Sequence, residues 1–163
     1  MEHKIEDIRV PDFNLAGKVA VVTGGTKGLG YGMALTLAHY GADVVVASRT
    51  KADCVRVERE IKSLGRRGLG IPTDINKIER IDALVAKTVE SLGRLDIMVC
   101  NAGVGNTVDA VDMTEAQWDE VVDTDLKSVF FSARAAAREM IRAKTPGKII
   151  AIASAAAFSG ARG

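Results

Sequence analysis

Three glycines stand between an apolar run and a helical pattern near the start of the chain. Gly24, Gly28 and Gly30 follow residues 19–23 with the spacing Gly-x3-Gly-x-Gly. Glycines placed in this way let a chain leave a strand sharply, pass close to a pyrophosphate and begin a tightly packed helix. The free N–H groups at such a helix start favour an anion. The spacing therefore indicates a phosphate-binding loop, and a tight strand-to-helix turn without a ligand is the alternative.

Polar residues also follow the later apolar runs. They are Ser48 with Arg49 after residues 43–47, Asp74 after 68–73, Asn101 after 95–100 and Ser154 after 148–153. Two of these positions have an ordinary structural alternative. Asp74 could cap the helix that follows it, and residues 101–103 could form a turn that only ends a strand.

Apolar runs and helical spacing alternate along most of the chain. Strands are predicted at residues 19–23, 43–47, 68–73, 95–100 and 148–153, and helices at about 29–40, 52–64, 77–92 and 114–143. In the first helix Leu29, Met33 and Leu37 recur every four residues, with Ala34 and Ala38 on the same face. Strands that alternate with helices require right-handed crossovers. The pattern therefore predicts the α/β class, with a doubly wound parallel sheet covered by helices on both faces.

Two single residues mark features of these elements. Pro72 interrupts the third apolar run, which makes that strand the weakest of the five predictions. Thr114 precedes the last helical pattern, where its side chain can cap N–H groups three residues further on.

The composition excludes several classes of protein. A length of 163 residues with 47% hydrophobic content predicts one domain, at residues 15–163, after a polar lead-in at residues 1–14. A net charge of +1 argues against nucleic acid as a partner. No apolar run approaches the roughly 18 residues of a membrane span, and the start is too polar for a signal peptide, so we expect a cytoplasmic protein without a membrane partner. Cys54 and Cys100 are isolated, which predicts reduced thiols and no metal site.

From residue 15 onward the chain resembles the short-chain dehydrogenase/reductase family. The resemblance rests on residues 23–30, on Asp74 and on the Asn-Ala-Gly of residues 101–103, which match that family's cofactor motif, adenine-contacting Asp and strand-four signature. It implies a Rossmann-type sheet of strand order 3-2-1-4-5, ending after strand five. The cofactor-binding residues that it implies are Gly24, Thr26, Lys27, Gly28, Leu29, Gly30, Ser48, Arg49, Asp74, Ile75, Asn101, Ala102 and Gly103.

The cofactor expected from the charges is NADP(H), with NAD as the less favoured alternative. Enzymes of this kind that use NAD usually end strand two with a carboxylate that bonds the ribose 2′-hydroxyl. Here that position is Ser48, followed by Arg49, and Lys27 lies in the glycine loop. Two cations without an anion favour a 2′-phosphate, which gains charge-assisted hydrogen bonds. The alternative is that both are ordinary surface charges.

The resemblance assigns catalytic residues less completely. Ser154 looks like the family's catalytic serine, whose hydroxyl holds the substrate oxygen. The family's Tyr-x3-Lys pattern begins 13 residues further on, and residues 1–163 do not contain it. Asp125 stands where the family has an active-site Asn, and a carboxylate only accepts hydrogen bonds. The 163 residues by themselves are therefore expected to be inactive, because the proton donor is missing.

Two functions remain open at this point. The first is an NADP(H)-dependent oxidoreductase that interconverts an alcohol and a ketone or aldehyde, with a small-molecule substrate and a homo-oligomeric assembly. The second is a dinucleotide-binding module without chemistry, acting as a sensor or partner subunit. A flavodoxin-like or receiver domain fits the length but not the glycine loop or the Asn-Ala-Gly of residues 101–103. In the order 3-2-1-4-5 the fifth strand is an apolar edge, which favours pairing with another strand.

Overall fold

A computed structural model describes residues 13–158. The strands are β1 (Val19–Thr23), β2 (Asp43–Ser48), β3 (Gly68–Pro72), β4 (Ile97–Cys100) and β5 (Lys148–Ala151). The helices are α1 (Gly28–His39), α2 (Lys51–Ser63), α3 (Ile78–Leu92), α4 (Glu115–Val122) and α5 (Ser128–Arg142). The strands form one parallel sheet in the order β3-β2-β1-β4-β5. The predicted class, sheet and strand order are confirmed.

Alternate residues of β1 supply the two hydrophobic cores. Val19 and Val21 face one core, with residues from α3 and α5, while Ala20 and Val22 face the other, with residues from α1 and α2. Every residue of β1 is buried because helices cover both faces of the sheet. The central strands are therefore apolar throughout rather than alternating, which is why the strand runs were recognisable in the sequence.

The predicted buried face of α1 is confirmed at Ala34 and Ala38 but is wrong at Leu29. Its buried residues are Gly30, Ala34 and Ala38, whereas the Leu29 side chain is 77% exposed. The large side chains predicted for the core lie beside the small ones, with Met33 and Leu37 only partly buried. Small residues face the sheet because α1 begins directly after the glycine loop and packs too closely for larger ones. The buried face of α1 is therefore decided by how closely the helix approaches the sheet, and not by where its largest side chains lie.

The last helical pattern is interrupted. α4 and α5 are joined by a π-helical turn, Asp123–Lys127, so the single α-helix predicted for residues 114–143 is wrong in this detail. The Thr114 side chain accepts a hydrogen bond from Gln117 N, as predicted, and Gln117 completes a capping box. A π turn adds one residue to the helical turn and frequently occurs at functional sites. Here the turn contains Thr124 and Asp125, and both belong to the candidate functional site.

Both edges of the sheet are as expected. Pro72 ends β3, at one edge of the sheet, where its missing N–H removes no ladder bond. All four residues of β5 are exposed at the other edge, and the strand ends at Ala151, two residues earlier than predicted. Leu126 and Phe130 are also exposed. Most of the predicted lead-in, residues 1–12, lies outside the described residues.

Candidate functional site

The strand order reverses between β1 and β4, and a cleft of about 450 Å³ opens there at the carboxyl ends of the strands. Open α/β sheets bind ligands at this kind of switch point. The cleft is lined by Gly24, Thr26, Lys27, Gly28, Leu29, Gly30, Ala47, Ser48, Arg49, Thr73, Asp74, Ile75, Asn76, Asn101, Ala102, Gly103, Val104, Glu120 and Thr124. All the residues predicted to bind a cofactor are among them. That they contact a cofactor remains a prediction.

The glycine loop is close-packed against the turn that follows β4. Gly24 has a φ of +65°, and a Cβ there would lie 2.9 Å from Ala102 Cα. A Cβ on Gly30 would overlap Gly24 O and Asn101 Nδ2. Gly28 has a φ of +53° and nothing near its missing side chain, so its conformation alone accounts for the glycine. Two of the three glycines therefore allow a close approach of backbones, and the third makes the turn.

Thr23 joins the two sides of the cleft. Its hydroxyl oxygen accepts the main-chain N–H groups of Asn101, over 3.0 Å, and of Ala102, over 3.2 Å. The Asn101 side chain is a further donor, from Nδ2 to Thr23 O over 2.9 Å. Sequence reasoning missed this role of Thr23, because a threonine at the end of a buried strand carries no signal of a partner 78 residues away.

A carboxylate lies beside one of the two cations assigned to the cofactor phosphate. Lys27 Nζ is 3.2 Å from Asp53 Oδ2, on the first turn of α2. The exposed Arg49 pairs with no carboxylate among residues 13–158. The expectation of two cations without an anion is therefore wrong, because it compared only the ends of β1 and β2 and did not consider α2.

Asp74 has one carboxylate oxygen engaged locally. Asn76 donates its N–H to Asp74 Oδ1 over 3.1 Å in the turn that leads to α3. Across the cleft, the Thr124 hydroxyl donates to Asn76 Oδ1 over 3.1 Å. The alternative that Asp74 caps α3 is not confirmed, because the N-cap of α3 is Lys77 and has no side-chain capping bond. Asp74 Oδ2 accepts no hydrogen bond within residues 13–158. Asp74 lines the cleft, so a ligand there could donate to this carboxylate.

Asp125 holds the loop that follows the Asn-Ala-Gly turn. Its Oδ1 accepts the Val104 N–H over 2.8 Å. An amide oxygen and a carboxylate oxygen both accept such a bond, so Asp in place of Asn preserves this contact. What Asp125 lacks is an N–H to donate.

Ser154 lies outside the cleft lining, just after β5. Its exposed side chain accepts the Ala156 N–H over 3.1 Å and so caps a short 3-10 turn, Ala155–Ala157. A hydroxyl that accepts one bond still has its own proton to donate. The structure thus places Ser154 at the carboxyl end of the strand next to β4, outside the lining of the cleft.

The two cysteines are buried and unbridged. Burial raises the pKa of the Cys100 thiol to about 11, because it disfavours the thiolate. Cys100 immediately precedes Asn101, which lines the cleft. Because its raised pKa keeps the thiol protonated, Cys100 is not expected to act as a nucleophile at neutral pH. Among the described residues, no group of three or more His, Cys, Asp and Glu side chains could hold a metal ion. No helix within residues 13–158 is both long and apolar enough to cross a bilayer.

The sequence of residues 18–163 matches the family model for short chain dehydrogenase. The chain belongs to the short-chain dehydrogenase family. The chain has the family's fold, and members of this family bind NAD(P). Which of the two nucleotides is bound does not follow from membership.

Similar proteins agree with this assignment. The chain is 44% identical over 148 residues to 2-dehydro-3-deoxy-D-gluconate 5-dehydrogenase of Escherichia coli (strain K12). The aligned stretch covers 91% of this chain and 58% of that protein. It is 37% identical to a short chain dehydrogenase/reductase of Aspergillus oryzae, over 88% of this chain and 56% of that protein. A crystal structure of a putative short-chain alcohol dehydrogenase from Sinorhizobium meliloti 1021 superposes with a TM-score of 0.89 at 38% identity, covering 93% of this chain and 60% of that one. The chain thus spans less than two thirds of the length of these relatives.

Proposed function

We propose that the cleft binds NADP(H) and that this short-chain dehydrogenase chain is part of an enzyme that interconverts an alcohol and a carbonyl. The observation that carries the proposal is the convergence on one cleft of the glycine loop, Arg49, Asp74 and Asn101. When bound, the nicotinamide ring supplies the acceptor or donor of hydride. The protein's own task is to bind, orient and exchange a proton with the substrate.

The start of α1 suits a pyrophosphate. The N-cap residue, Lys27, makes no side-chain capping bond, so the first N–H groups of the helix remain available to an anion. Gly24 and Gly30 let the loop that leads to this helix start pack directly against the Asn101 turn. A side chain at either position would overlap or press on the Asn101 turn.

The far end of the cleft suits a 2′-phosphate better than a free 2′-hydroxyl. β2 ends at Ser48, which can donate to a phosphate oxygen, and no carboxylate occupies that position to repel the anion. Arg49 follows with an exposed guanidinium that has no carboxylate partner among residues 13–158. A guanidinium and a phosphate form paired charge-assisted hydrogen bonds. These two residues support NADP(H) over NAD(H).

Asp74 and Asn101 fit the remaining parts of the dinucleotide. The unengaged carboxylate oxygen of Asp74 is suited to accept from the exocyclic amine of adenine, with Ile75 beside it against the ring. Asn101, Ala102 and Gly103 form the wall opposite the glycine loop. Asp125 acts behind that wall as a positioning residue, since its bond to the Val104 N–H holds the chain directly after Gly103.

Ser154 is proposed as the substrate-binding hydroxyl. One of its two lone pairs accepts the Ala156 N–H, and the serine proton remains to be donated to a substrate oxygen. Three relatives, 44%, 41% and 38% identical, are named 2-dehydro-3-deoxy-D-gluconate 5-dehydrogenase. We therefore take a hydroxy or oxo sugar acid as the substrate class to test first.

The test follows reduced nicotinamide with the product of the complete reading frame. A panel of hydroxylated sugar acids with NADP+ or NAD+ should give turnover with at least one member, preferentially with NADP+. The variant Ser154→Ala should lose most of this turnover, while the matched variant Ser91→Ala, on the exposed surface of α3, should retain it. Equal activity of the two variants would remove Ser154 from the site, and binding of neither nucleotide would contradict the proposed function.

A further inference from the structure

The ion pair between Lys27 and Asp53 couples the glycine loop to α2. Lys27 is exposed to 75% at its side chain and Asp53 to 23%, so the carboxylate lies behind the ammonium group rather than in open solvent. Asp53 does not line the cleft, whereas Lys27 does. A ligand in the cleft could therefore contact Lys27 directly, whereas Asp53 would act on it from behind the lysine.

The two cations of this region are not equivalent. Arg49 pairs with no carboxylate among the described residues, whereas the charge of Lys27 is compensated by Asp53. A phosphate next to both cations would compete with Asp53 for Lys27. It would also feel the aspartate as a second negative charge at short range.

We propose that Asp53 is a specificity-determining residue that limits the preference for NADP(H) over NAD(H). Its carboxylate weakens the attraction of Lys27 for a 2′-phosphate and adds repulsion. A 2′-hydroxyl carries no charge, so Asp53 should have almost no effect on the affinity for NAD(H). The inference rests on the proposed function, since it requires a nicotinamide dinucleotide whose ribose lies near Lys27 and Arg49.

The proposed effect of Asp53 is electrostatic rather than structural, because other hydrogen bonds join the glycine loop and α1 to α2. One turn after Asp53, Arg56 donates from Nη2 to Thr26 O over 2.8 Å and from Nη1 to Glu60 Oε1 over 2.8 Å. The Tyr31 hydroxyl also donates to Glu60, over 2.6 Å. These bonds hold the glycine loop against α2 without the help of Asp53. Removing the Asp53 charge should therefore leave the loop where it is.

The experiment titrates NADPH and NADH into the full chain by nicotinamide fluorescence, at low salt. Asp53→Asn keeps the size of the side chain and removes its charge. NADPH should bind about three- to tenfold more tightly to this variant, with NADH unchanged, and the gain should shrink as salt screens the charges. Asp53→Glu keeps the charge and should stay near the unaltered ratio.

Two further proteins control for other causes. Glu90→Gln removes the same charge from an exposed pair with Lys87 on α3, and should leave the ratio unchanged. In a Lys27→Met background, Asp53→Asn should keep only the part of its effect on NADPH that comes from direct repulsion, because the competition for the lysine is absent. Thermal unfolding of each variant verifies that folded proteins are compared.

The outcomes separate this inference from the proposed function. If the unaltered chain prefers NADPH but Asp53→Asn leaves the ratio unchanged or lowers it, the role of Asp53 is refuted and the proposed function stands. If the unaltered chain shows no preference but Asp53→Asn creates one, the role of Asp53 stands and the proposed preference fails. If neither protein binds a dinucleotide, both fail.

Discussion

Thr23 accepts two hydrogen bonds from Asn101 across the switch point of the sheet. The Asn101 N–H donates to Thr23 Oγ1 over 3.0 Å, and Asn101 Nδ2 donates to Thr23 O over 2.9 Å. Because Thr23 ends the strand that leads into the glycine loop, this pair sets the distance between the two walls of the cleft. Stability and ligand binding should therefore depend on the same hydroxyl.

Replacing that hydroxyl tests the relationship. Thr23→Val keeps the shape and β-branching of a buried residue but leaves the N–H groups of Asn101 and Ala102 without their acceptor. We expect a loss of about 1–3 kcal/mol in the free energy of unfolding, measured by urea denaturation, together with weaker dinucleotide binding. Thr36→Val, at an exposed position of α1, should change stability by no more than about 0.5 kcal/mol. A Thr23→Val protein as stable as this control would show that the hydroxyl is dispensable.

Two glycines of α1 provide a matched pair for close packing. Gly30→Ala adds a methyl group that overlaps Gly24 O and Asn101 Nδ2, and should destabilise the protein by about 1–3 kcal/mol and impair nucleotide binding. Gly32→Ala adds the same group where nothing lies within 4 Å, and should stabilise the helix by up to about 1 kcal/mol. Thermal unfolding and NADPH titration of both variants check this. The same sign of effect at both positions would argue against the close approach seen here.

Much of this arrangement could be predicted from the sequence. Uninterrupted apolar runs identify β1, β2 and β4, because strands covered on both faces need no polar side. The strand order and the assignment of the cleft residues came from the resemblance carried by the glycine loop, Asp74 and Asn101. The fold brings these separate motifs to one cleft, as that order requires.

Other features depend on packing that periodicity does not record. The prediction for α1 was wrong at Leu29 because it relied on the spacing of large side chains. A helix close to the sheet buries Gly30 and Ala34 and leaves Leu29 exposed to solvent. The π turn of residues 123–127 has no composition signal. The pairing of Lys27 with Asp53 joins two elements that are separated by β2, so it becomes visible only when the chain is folded.

Acid stability should depend on Asp43, at the start of β2. Burial by itself raises the pKa of Asp43, but hydrogen bonds from the Arg67 main chain and guanidinium and the charge of Arg66 outweigh it, so the pKa lies below its ordinary value of 3.8. A lowered pKa stabilises the folded state above the unfolded pKa, and this stabilisation is lost as pH falls through the folded pKa. Asp43→Asn should therefore unfold at lower urea at neutral pH and lose less stability below about pH 4. An unchanged acid profile would contradict this role.

The exposed edge of the sheet should promote self-association. β5 pairs with β4 on one side and with no strand of residues 13–158 on the other, and its Ile150 is 45% exposed. Unpaired apolar edges are templates for another strand. We expect the polypeptide of residues 1–163 to associate at micromolar concentration and Ile150→Lys to reduce this, as measured by light scattering. Leu64→Lys, at a residue of 44% exposure after α2, should leave it unchanged. A monomer before any substitution would contradict the expectation.

The charge of Arg49 tests the account of the cleft most directly. In the unaltered chain NADPH should bind saturably and more tightly than NADH, because the guanidinium bonds the 2′-phosphate. Arg49→Asp repels that phosphate and offers its carboxylate to a 2′-hydroxyl, so it should invert the order of affinity. The measurement is a titration of both proteins with both nucleotides by nicotinamide fluorescence. An inverted order is the predicted result, and equal affinity for the two nucleotides in both proteins would contradict the assignment.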